Sequence, residues 1–186
     1  MVIPIQALSN GIITLRPYQS EDVKETYQAV RESLEDLRPW MNWAHPDYAI
    51  YETEAFITKV IQAWEEGTEY TFAITDAQDG RFIGGCGLNH FNPVYGFCNL
   101  GYWVRSSRRG HGYAAQAARL AASFGFQQLG LIRAEIVVAE GNNASLRVAE
   151  KAGARREGIL RNRMTLGNQP VSAVMHSLIP SDFSTV

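Results

Sequence analysis

The segment from Arg105 to Ala114 joins basic side chains to two glycines just before a helix-like run. The start of a helix presents unpaired backbone N–H groups and a partial positive charge, which together bind anions. Gly110 and Gly112 let the backbone approach an oxyanion closely, and Ala114 keeps bulk out of the first turn. The segment therefore predicts a site for a multiply phosphorylated ligand, with a solvated basic turn as the alternative. Its candidate binding residues are Arg108, Arg109, Gly110, His111, Gly112, Tyr113 and Ala114.

Two common phosphate motifs do not describe this loop. No Gly-x4-Gly-Lys-Ser/Thr sequence occurs, so the loop is not a P-loop. The Rossmann fingerprint needs three glycines at its own spacing, whereas this loop has two.

The elements around the loop should place it between a strand and a helix. Alternating apolar residues predict strands at 12–16, 70–75, 82–88, 97–104, 133–138, 155–165 and 171–179. Helical spacing predicts helices at 20–34, 51–66, 112–129 and 143–152, with Ser20 as the N-cap of the first. This order predicts an α/β (α+β type) domain spanning 1–186. Its sheet should be mixed, mostly antiparallel and twisted, with about six to seven strands and helices on both faces.

The bulk composition narrows the class of protein. The formal net charge of -2 argues against a general nucleic-acid binder, which usually has a basic excess. No run approaches the roughly 18 apolar residues of a membrane span, and the first residues lack the pattern of a secretory signal. Cys86 and Cys98 lie in apolar strands without metal-ligand spacing, so we expect buried thiols, with a disulfide as the alternative. We expect a cytoplasmic protein without a metal.

The loop resembles the pyrophosphate-binding motif of the GNAT acetyltransferases, Gln/Arg-x-x-Gly-x-Gly/Ala. Arg109, Gly112 and Ala114 stand in its three defined places. Upstream, GYWV at 101–104 looks like the family's fourth strand, and downstream, NNAS at 142–145 looks like its second cofactor-contacting region. The resemblance implies the GNAT fold, with a splayed pair of parallel strands at its centre.

Within that superfamily, the chain is most similar to the RimJ/RimL group, which acetylates N-terminal α-amines of ribosomal proteins. The similarity depends on LRP at 15–17, on Trp40 and Trp43, and on EGILR at 157–161. It implies that the two tryptophans line the acceptor site, although core packing explains them equally well. A homodimer is also plausible by this resemblance.

The resemblance implies acetyl-CoA as co-substrate, bound between the strands that contain Val104 and Val138. Asn142 and main-chain groups of Trp103 and Val104 would then contact it, and the carbonyl would be polarised as in an oxyanion hole. The amine attacks directly, so neither cysteine is expected to act as a nucleophile.

Two departures from the family concern proton transfer. Many members donate a proton from a tyrosine seven residues after the asparagine, where this chain has Ala149. RimL-like enzymes use a serine three residues after it, which makes Ser145 the candidate donor, with helix capping as its alternative role. Relatives often place a glutamate where Asn99 stands, so no general base is assigned.

Three functions fit these residues. The first is acetylation of the N-terminal α-amine of a protein or peptide. The second is acetylation of a small amine, such as an antibiotic or a polyamine. The third is a non-catalytic acyl-CoA-binding sensor, which the missing glutamate and the missing tyrosine leave open.

Overall fold

The computed structural model describes residues 7–183, so residues 1–6 and 184–186 of the predicted 1–186 domain lie outside it. The strands are β1 Leu8–Ser9, β2 Ile13–Pro17, β3 Tyr70–Asp76, β4 Phe82–Asn92, β5 Phe97–Val104, β6 Arg133–Ala139, β7 Arg155–Leu166 and β8 Gln169–Leu178. The α-helices are α1 Val23–Leu37, α2 Ile50–Glu66, α3 Tyr113–Gln128 and α4 Asn143–Lys151. Short 3-10 turns cover Ser20–Asp22, Ser106–Arg108 and Pro180–Phe183.

The strands form one mixed sheet in the order β1-β2-β3-β4-β5-β6-β8-β7. Every neighbouring pair is antiparallel except β5 and β6, which are parallel. This confirms the predicted fold, although the sheet has eight strands rather than six or seven. The additional strand is β1, which has two residues and is too short to show an alternating pattern.

The start of α1 differs from the prediction that Ser20 is an N-cap. Residues 20–22 form a 3-10 turn, and the α-helix begins at Val23. The cause is Asp22, whose carboxylate accepts hydrogen bonds from Arg16 at 2.6 and 2.7 Å and from the Gln19 N–H at 2.8 Å. The Ser20 hydroxyl instead donates to Glu21.

Helices cover both faces of the sheet, as predicted. Adjacent residues of a strand point to opposite faces, and Phe72 and Ala73 of β3 pack into different apolar clusters. The Phe72 cluster includes α3 and α4, whereas Ala73 packs with residues of α1 and α2. Along residues 7–183, none of the helices is both long and apolar enough to cross a bilayer.

The face of α3 that meets the sheet is made of alanine. These small side chains let the helix lie close to the sheet, so that its first turn is held beside the end of β5. The alanines on this face are nearly inaccessible to solvent; they are Ala115, Ala117, Ala118, Ala121 and Ala122.

Candidate active site

The loop between β5 and α3 forms an open turn at the start of a helix. Gly110 and Gly112 have φ angles of 85° and 77°, a left-handed conformation that disfavours other residues. Among residues 7–183, no heavy atom beyond its chain neighbours lies within 4 Å of where a Cβ on Gly110 would stand, so the backbone there is accessible. The first N–H groups of α3 have no partner within the helix. The loop thus fits the phosphate site predicted from Gly110 to Ala114.

The arginines of this loop contact carboxylates in this structure. Arg105 pairs with Glu32, and its Nε donates to that carboxylate at 3.0 Å. Arg109 pairs with Asp36, the next acidic residue on that face of α1. The bond from Arg105 is the main reason that the pKa of Glu32 falls to about 2. The contact with Arg109 is the main reason that the pKa of Asp36 is lowered.

The remaining polar contacts of the loop also hold it in place. Arg108 lies 3.6 Å from Asp76, and the Ser106 N–H donates to Ser33 Oγ at 2.9 Å. His111 stacks on the ring of Tyr113 with a centroid separation of 5.4 Å. Arg108 and Arg109, which the sequence predicts as cofactor contacts, have acidic partners that lie far away along the chain and leave no local pattern.

The parallel strands β5 and β6 separate after a short paired region. Their register pairs Phe97 with Arg133 and ends where Asn99 meets Glu135. Beyond that point, β5 continues to Val104 and pairs only with β4. Among the described residues, no strand pairs with the β6-facing edge of β5 from Gly101 to Val104, as expected for a splayed strand pair that holds an extended ligand arm.

Asn142 is the cap at the start of α4. Its side-chain oxygen accepts a hydrogen bond from the Ser145 N–H at 3.1 Å. Because Asn142 fills the capping role, the Ser145 side chain is available for another contact. Ala149, at the position of the family's usual tyrosine, is fully buried in the core.

Tyr102 of β5 meets Ser145 across the gap between the splayed strands. Its hydroxyl lies 3.1 Å from the main-chain oxygen of Ser145 and 3.2 Å from Ser145 Oγ. Burial raises the pKa of Tyr102 to about 12, and the hydrogen bond with Ser145 offsets part of that rise. No sequence motif singles out Tyr102 as a site residue, although strand alternation places it on the same face as Leu100, towards α3 and α4.

A cavity of about 630 Å³ lies between α1, α2 and the sheet. It is bounded by Gly101, Tyr102 and Trp103 of β5, so it reaches the splayed strands from the opposite face. Trp43 lines the cavity, and the centroid of its ring lies 6.1 Å from that of Trp103. Trp40 is not among the lining residues. Besides Tyr102, the aromatic residues of the cavity walls are Tyr18, Trp43, Tyr48, Phe56 and Trp103.

Two carboxylates, Glu52 and Glu69, line this cavity, and both have partners. Glu52 accepts the Ala49 N–H at 2.9 Å and lies 2.9 Å from His45 Nε2. The pKa of Glu52 is lowered, first by the bond from Ala49 and then by His45. Glu69 lies 3.7 Å from Lys59 Nζ.

The position of the family's glutamate contains an amide pair. Asn99 Nδ2 donates to Asn89 Oδ1 at 2.9 Å, and Asn89 lines the cavity. Glu135, the β6 neighbour of Asn99, accepts a bond from Arg133 Nε at 2.9 Å and does not line the cavity.

Cys86 and Cys98 are free, buried thiols, which confirms the expectation from sequence. Burial raises the pKa of each thiol to about 12. Thiols in this state are unreactive, because the thiolate is the nucleophile. Within residues 7–183, no group of three or more His, Cys, Asp or Glu side chains is arranged to hold a metal ion.

Comparison with known proteins supports the resemblance to the GNAT acetyltransferases. The family model described as an acetyltransferase (GNAT) domain matches residues 13–155. The Bacillus subtilis protein named Probable N-acetyltransferase YjcK is 31% identical over 86% of this chain and 89% of its own. Spermidine N(1)-acetyltransferase of Escherichia coli K12 is 25% identical over 87% of this chain and 83% of its own.

Solved structures share the fold. RimL, a ribosomal L7/L12 alpha-N-protein acetyltransferase in complex with coenzyme A, superposes with a TM-score of 0.85 at 19% identity. The match covers 94% of this chain and 98% of RimL. The family match, the relative above 30% identity and the phosphate-loop geometry agree. The chain belongs to the GNAT acetyltransferase family, and it is an acetyl-CoA-dependent N-acetyltransferase.

Proposed function

We propose that this enzyme acetylates the N-terminal α-amine of a protein or peptide, with ribosomal proteins as the first candidates. We take the cavity between α1, α2 and the sheet as the acceptor cavity. The observation that carries the proposal is the amide pair of Asn99 and Asn89 beside it. A carboxamide cannot take a proton from an ammonium group at neutral pH. Position 99 therefore supplies no base. His45 and His90 also line the cavity, and His45 is paired with Glu52. We propose that the acceptor brings its own neutral fraction rather than being deprotonated by an imidazole.

The carboxylates of the cavity do not replace the missing base. Glu52 is held by Ala49 and His45, which lower its pKa, and Glu69 faces Lys59. A general base acts best when its pKa lies near the working pH. Reference pKa values are about 7.7–8.0 for an α-amine and about 10.4 for lysine. At pH 7 an α-amine is neutral on the order of a few hundred times more often than a lysine.

The residues around the splayed strands have distinct roles in this proposal. Backbone N–H groups from Gly110 to Ala114 hold the pyrophosphate, and Asn142 lies at the cofactor side. Main-chain groups of Trp103 and Val104 orient and polarise the thioester carbonyl. Acetyl-CoA, when bound, supplies the acetyl group in activated form. Ser145 donates a proton to the departing sulfur.

The name of a structural neighbour supports a protein acceptor. RimL is described as an alpha-N-protein acetyltransferase of ribosomal L7/L12. Trp43 on the wall of the cavity fits an acceptor that enters between α1 and α2. Trp40 lies outside the cavity wall, so we keep only Trp43 as an acceptor contact.

A small polyamine is the second candidate acceptor. The Escherichia coli relative is named as a spermidine acetyltransferase. The aromatic walls of the cavity attract cations, since the face of an aromatic ring is electronegative. Glu52 and Glu69 add negative charge to the same walls.

Initial rates of thiol release with three acceptors separate these candidates. The acceptors are a lysine-free peptide with a free α-amine, an N-terminally blocked peptide with one lysine, and spermidine. We expect the first to react fastest at pH 7. Faster turnover of the lysine peptide or of spermidine would contradict the proposal.

A substitution at Asn99 tests the reasoning about the base. Asn99→Glu places a carboxylate beside the cavity and should increase the lysine rate relative to the α-amine rate. Asn99→Gln keeps an amide and serves as the control. An unchanged rate ratio in Asn99→Glu would show that deprotonation does not select the acceptor.

Quaternary structure and location extend the proposal. We propose a homodimer in the cytoplasm that does not bind nucleic acid directly. Light scattering on the purified protein tests the first statement, cell fractionation the second, and a filter-binding assay with RNA the third. Limited proteolysis tests whether residues 1–186 form one domain.

A further inference from the structure

The Tyr102 side chain connects β5 to the start of α4 beside the gap between β5 and β6. It extends from β5 towards α3 and α4, and its hydroxyl lies within 3.2 Å of two oxygen atoms of Ser145. Tyr102 also lines the acceptor cavity. One residue thus touches both the acceptor cavity and the start of α4.

We infer that Tyr102 positions the Ser145 hydroxyl for proton donation to the leaving sulfur. This inference rests on the acetyl transfer and the Ser145 role proposed above. A serine hydroxyl has one hydrogen, so it can donate to one partner at a time. The Tyr102 hydroxyl also has one hydrogen and two acceptors in reach, the Ser145 carbonyl oxygen at 3.1 Å and Ser145 Oγ at 3.2 Å. In the rotamer of the phenolic hydrogen that points to Oγ, Tyr102 is the donor and the hydrogen of Ser145 stays free for the sulfur.

The same hydrogen bond makes Ser145 a stronger acid. Negative charge builds up on Ser145 Oγ while its proton leaves, and a bond donated by Tyr102 stabilises that charge. Hydrogen bonds to a charged atom are roughly twice as strong as those between neutral groups. Because the bond strengthens as the proton moves, it lowers the barrier more than it stabilises the resting state.

The surroundings keep the Tyr102 phenol protonated and leave the Ser145 hydroxyl out of the cap of α4. Burial raises the pKa of Tyr102 to about 12, so its phenol remains a donor under ordinary assay conditions. The thiol of Cys86, its register partner on β4, also has a pKa of about 12 and stays neutral. The cap of α4 is supplied by Asn142, which leaves Ser145 Oγ with Tyr102 as its hydrogen-bonding neighbour.

The proton balance of the step is complete without a charge on Tyr102. The lone pair of the acceptor nitrogen forms the new N–C bond, the C–S bond breaks, and its electron pair stays on sulfur. Ser145 gives its hydroxyl proton to that sulfur and regains a proton from water. The acylated nitrogen releases its extra proton to water. Tyr102 keeps its own proton, so it is a positioning residue.

A double-mutant cycle on the full-length enzyme tests this inference. Tyr102→Phe, Ser145→Ala and the double variant are compared for kcat and for KM with acetyl-CoA, using the α-amine peptide as acceptor. We expect Tyr102→Phe alone to lower kcat about tenfold, the effect of one hydrogen bond to a charged atom. KM for acetyl-CoA should stay near the wild-type value. In the Ser145→Ala background, the same change should leave kcat nearly constant.

Tyr70→Phe is the matched control, because Tyr70 is a buried tyrosine whose ring packs against Trp64 and Phe124 in the core. It should leave kcat unchanged. An equal loss of kcat from Tyr102→Phe with and without Ser145 would overturn the inference while leaving α-amine acetylation intact. A normal kcat in Ser145→Ala would remove the donor itself and therefore the inference. Absence of acetyl transfer in the wild type would overturn the proposed function and the inference together.

A second substitution covers the case in which Tyr102→Phe does not fold. With 3-fluorotyrosine in place of Tyr102, the ring size is nearly unchanged and the phenol is a stronger donor. We expect kcat to rise when Ser145 is present and to stay constant in Ser145→Ala. The same change of kcat in both backgrounds would overturn the inference.

Discussion

Gly112→Asp is expected to abolish tight binding of coenzyme A. Gly112 has φ 77° and precedes the first residue of α3, so a side chain there stands at the mouth of the phosphate loop. In the described part of the chain, the one neighbouring atom within 4 Å of its Cβ position is Gln116 Nε2 at 3.9 Å, which leaves room for a carboxylate. At about 5 Å and an effective dielectric constant of about 20, two negative charges repel by about 3 kcal/mol. This energy weakens binding about a hundredfold.

Gly112→Asn is the matched control for this change. Asn has the same shape as Asp, carries no charge and tolerates the left-handed conformation. Both variants pay about 1–2 kcal/mol for an L-residue at this φ angle, which lowers the melting temperature by roughly 2–8 °C. Calorimetric titration with coenzyme A then isolates the effect of charge. Equal affinities of the two folded variants would refute the assignment of the pyrophosphate to this loop.

The remaining predictions concern α4, the thiols and the α1–α2 loop, which contains Trp43 of the acceptor cavity. Ser145→Ala should lower kcat about a hundredfold without lowering the melting temperature. Asn142→Ala removes the helix cap and should lower the free energy of unfolding by about 1 kcal/mol. Steady-state kinetics and scanning calorimetry measure both; a normal kcat with a lowered melting temperature in Ser145→Ala would make Ser145 the cap instead. Iodoacetamide at pH 8 should label neither Cys86 nor Cys98 in the folded enzyme, because each thiol has a pKa of about 12, and rapid labelling with loss of turnover would contradict this. Asn42→Ala should raise KM for the acceptor but not for acetyl-CoA, because Asn42 holds the α1–α2 loop to the β7–β8 hairpin by bonds of 2.8 and 3.2 Å. An unchanged acceptor KM would show that the loop is held in another way.

Local sequence patterns predict those parts of the fold that depend on nearest neighbours. The bounds of β5 are the same in the sequence analysis and in the structure, because alternation and flanking turns define them. Asn142 and Ser145 lie together at one helix start, so their relation follows from spacing alone. β1 was missed because two residues make no pattern. The cap of α1 was misassigned because Asp22 is recruited by Arg16 from the preceding strand.

Contacts between distant segments are the part that sequence reasoning could not supply. The partners of Arg105 and Arg109 lie on α1, about seventy residues earlier, and no local pattern links them. Tyr102 and Ser145 meet only because β5 and β6 separate. Trp40 and Trp43 look equivalent in sequence, but the turn after α1 brings only Trp43 to the cavity.

A single labelling experiment tests directly whether the enzyme acetylates an N-terminal α-amine. The enzyme is incubated at pH 7 with acetyl-CoA labelled in its acetyl group and a peptide that has both a free α-amine and one lysine. Tandem mass spectrometry then locates the label in the peptide. We expect the label on the α-amine, in an amount equal to that of the thiol released. Label mainly on the lysine, or no transfer by an enzyme that binds coenzyme A, would contradict it.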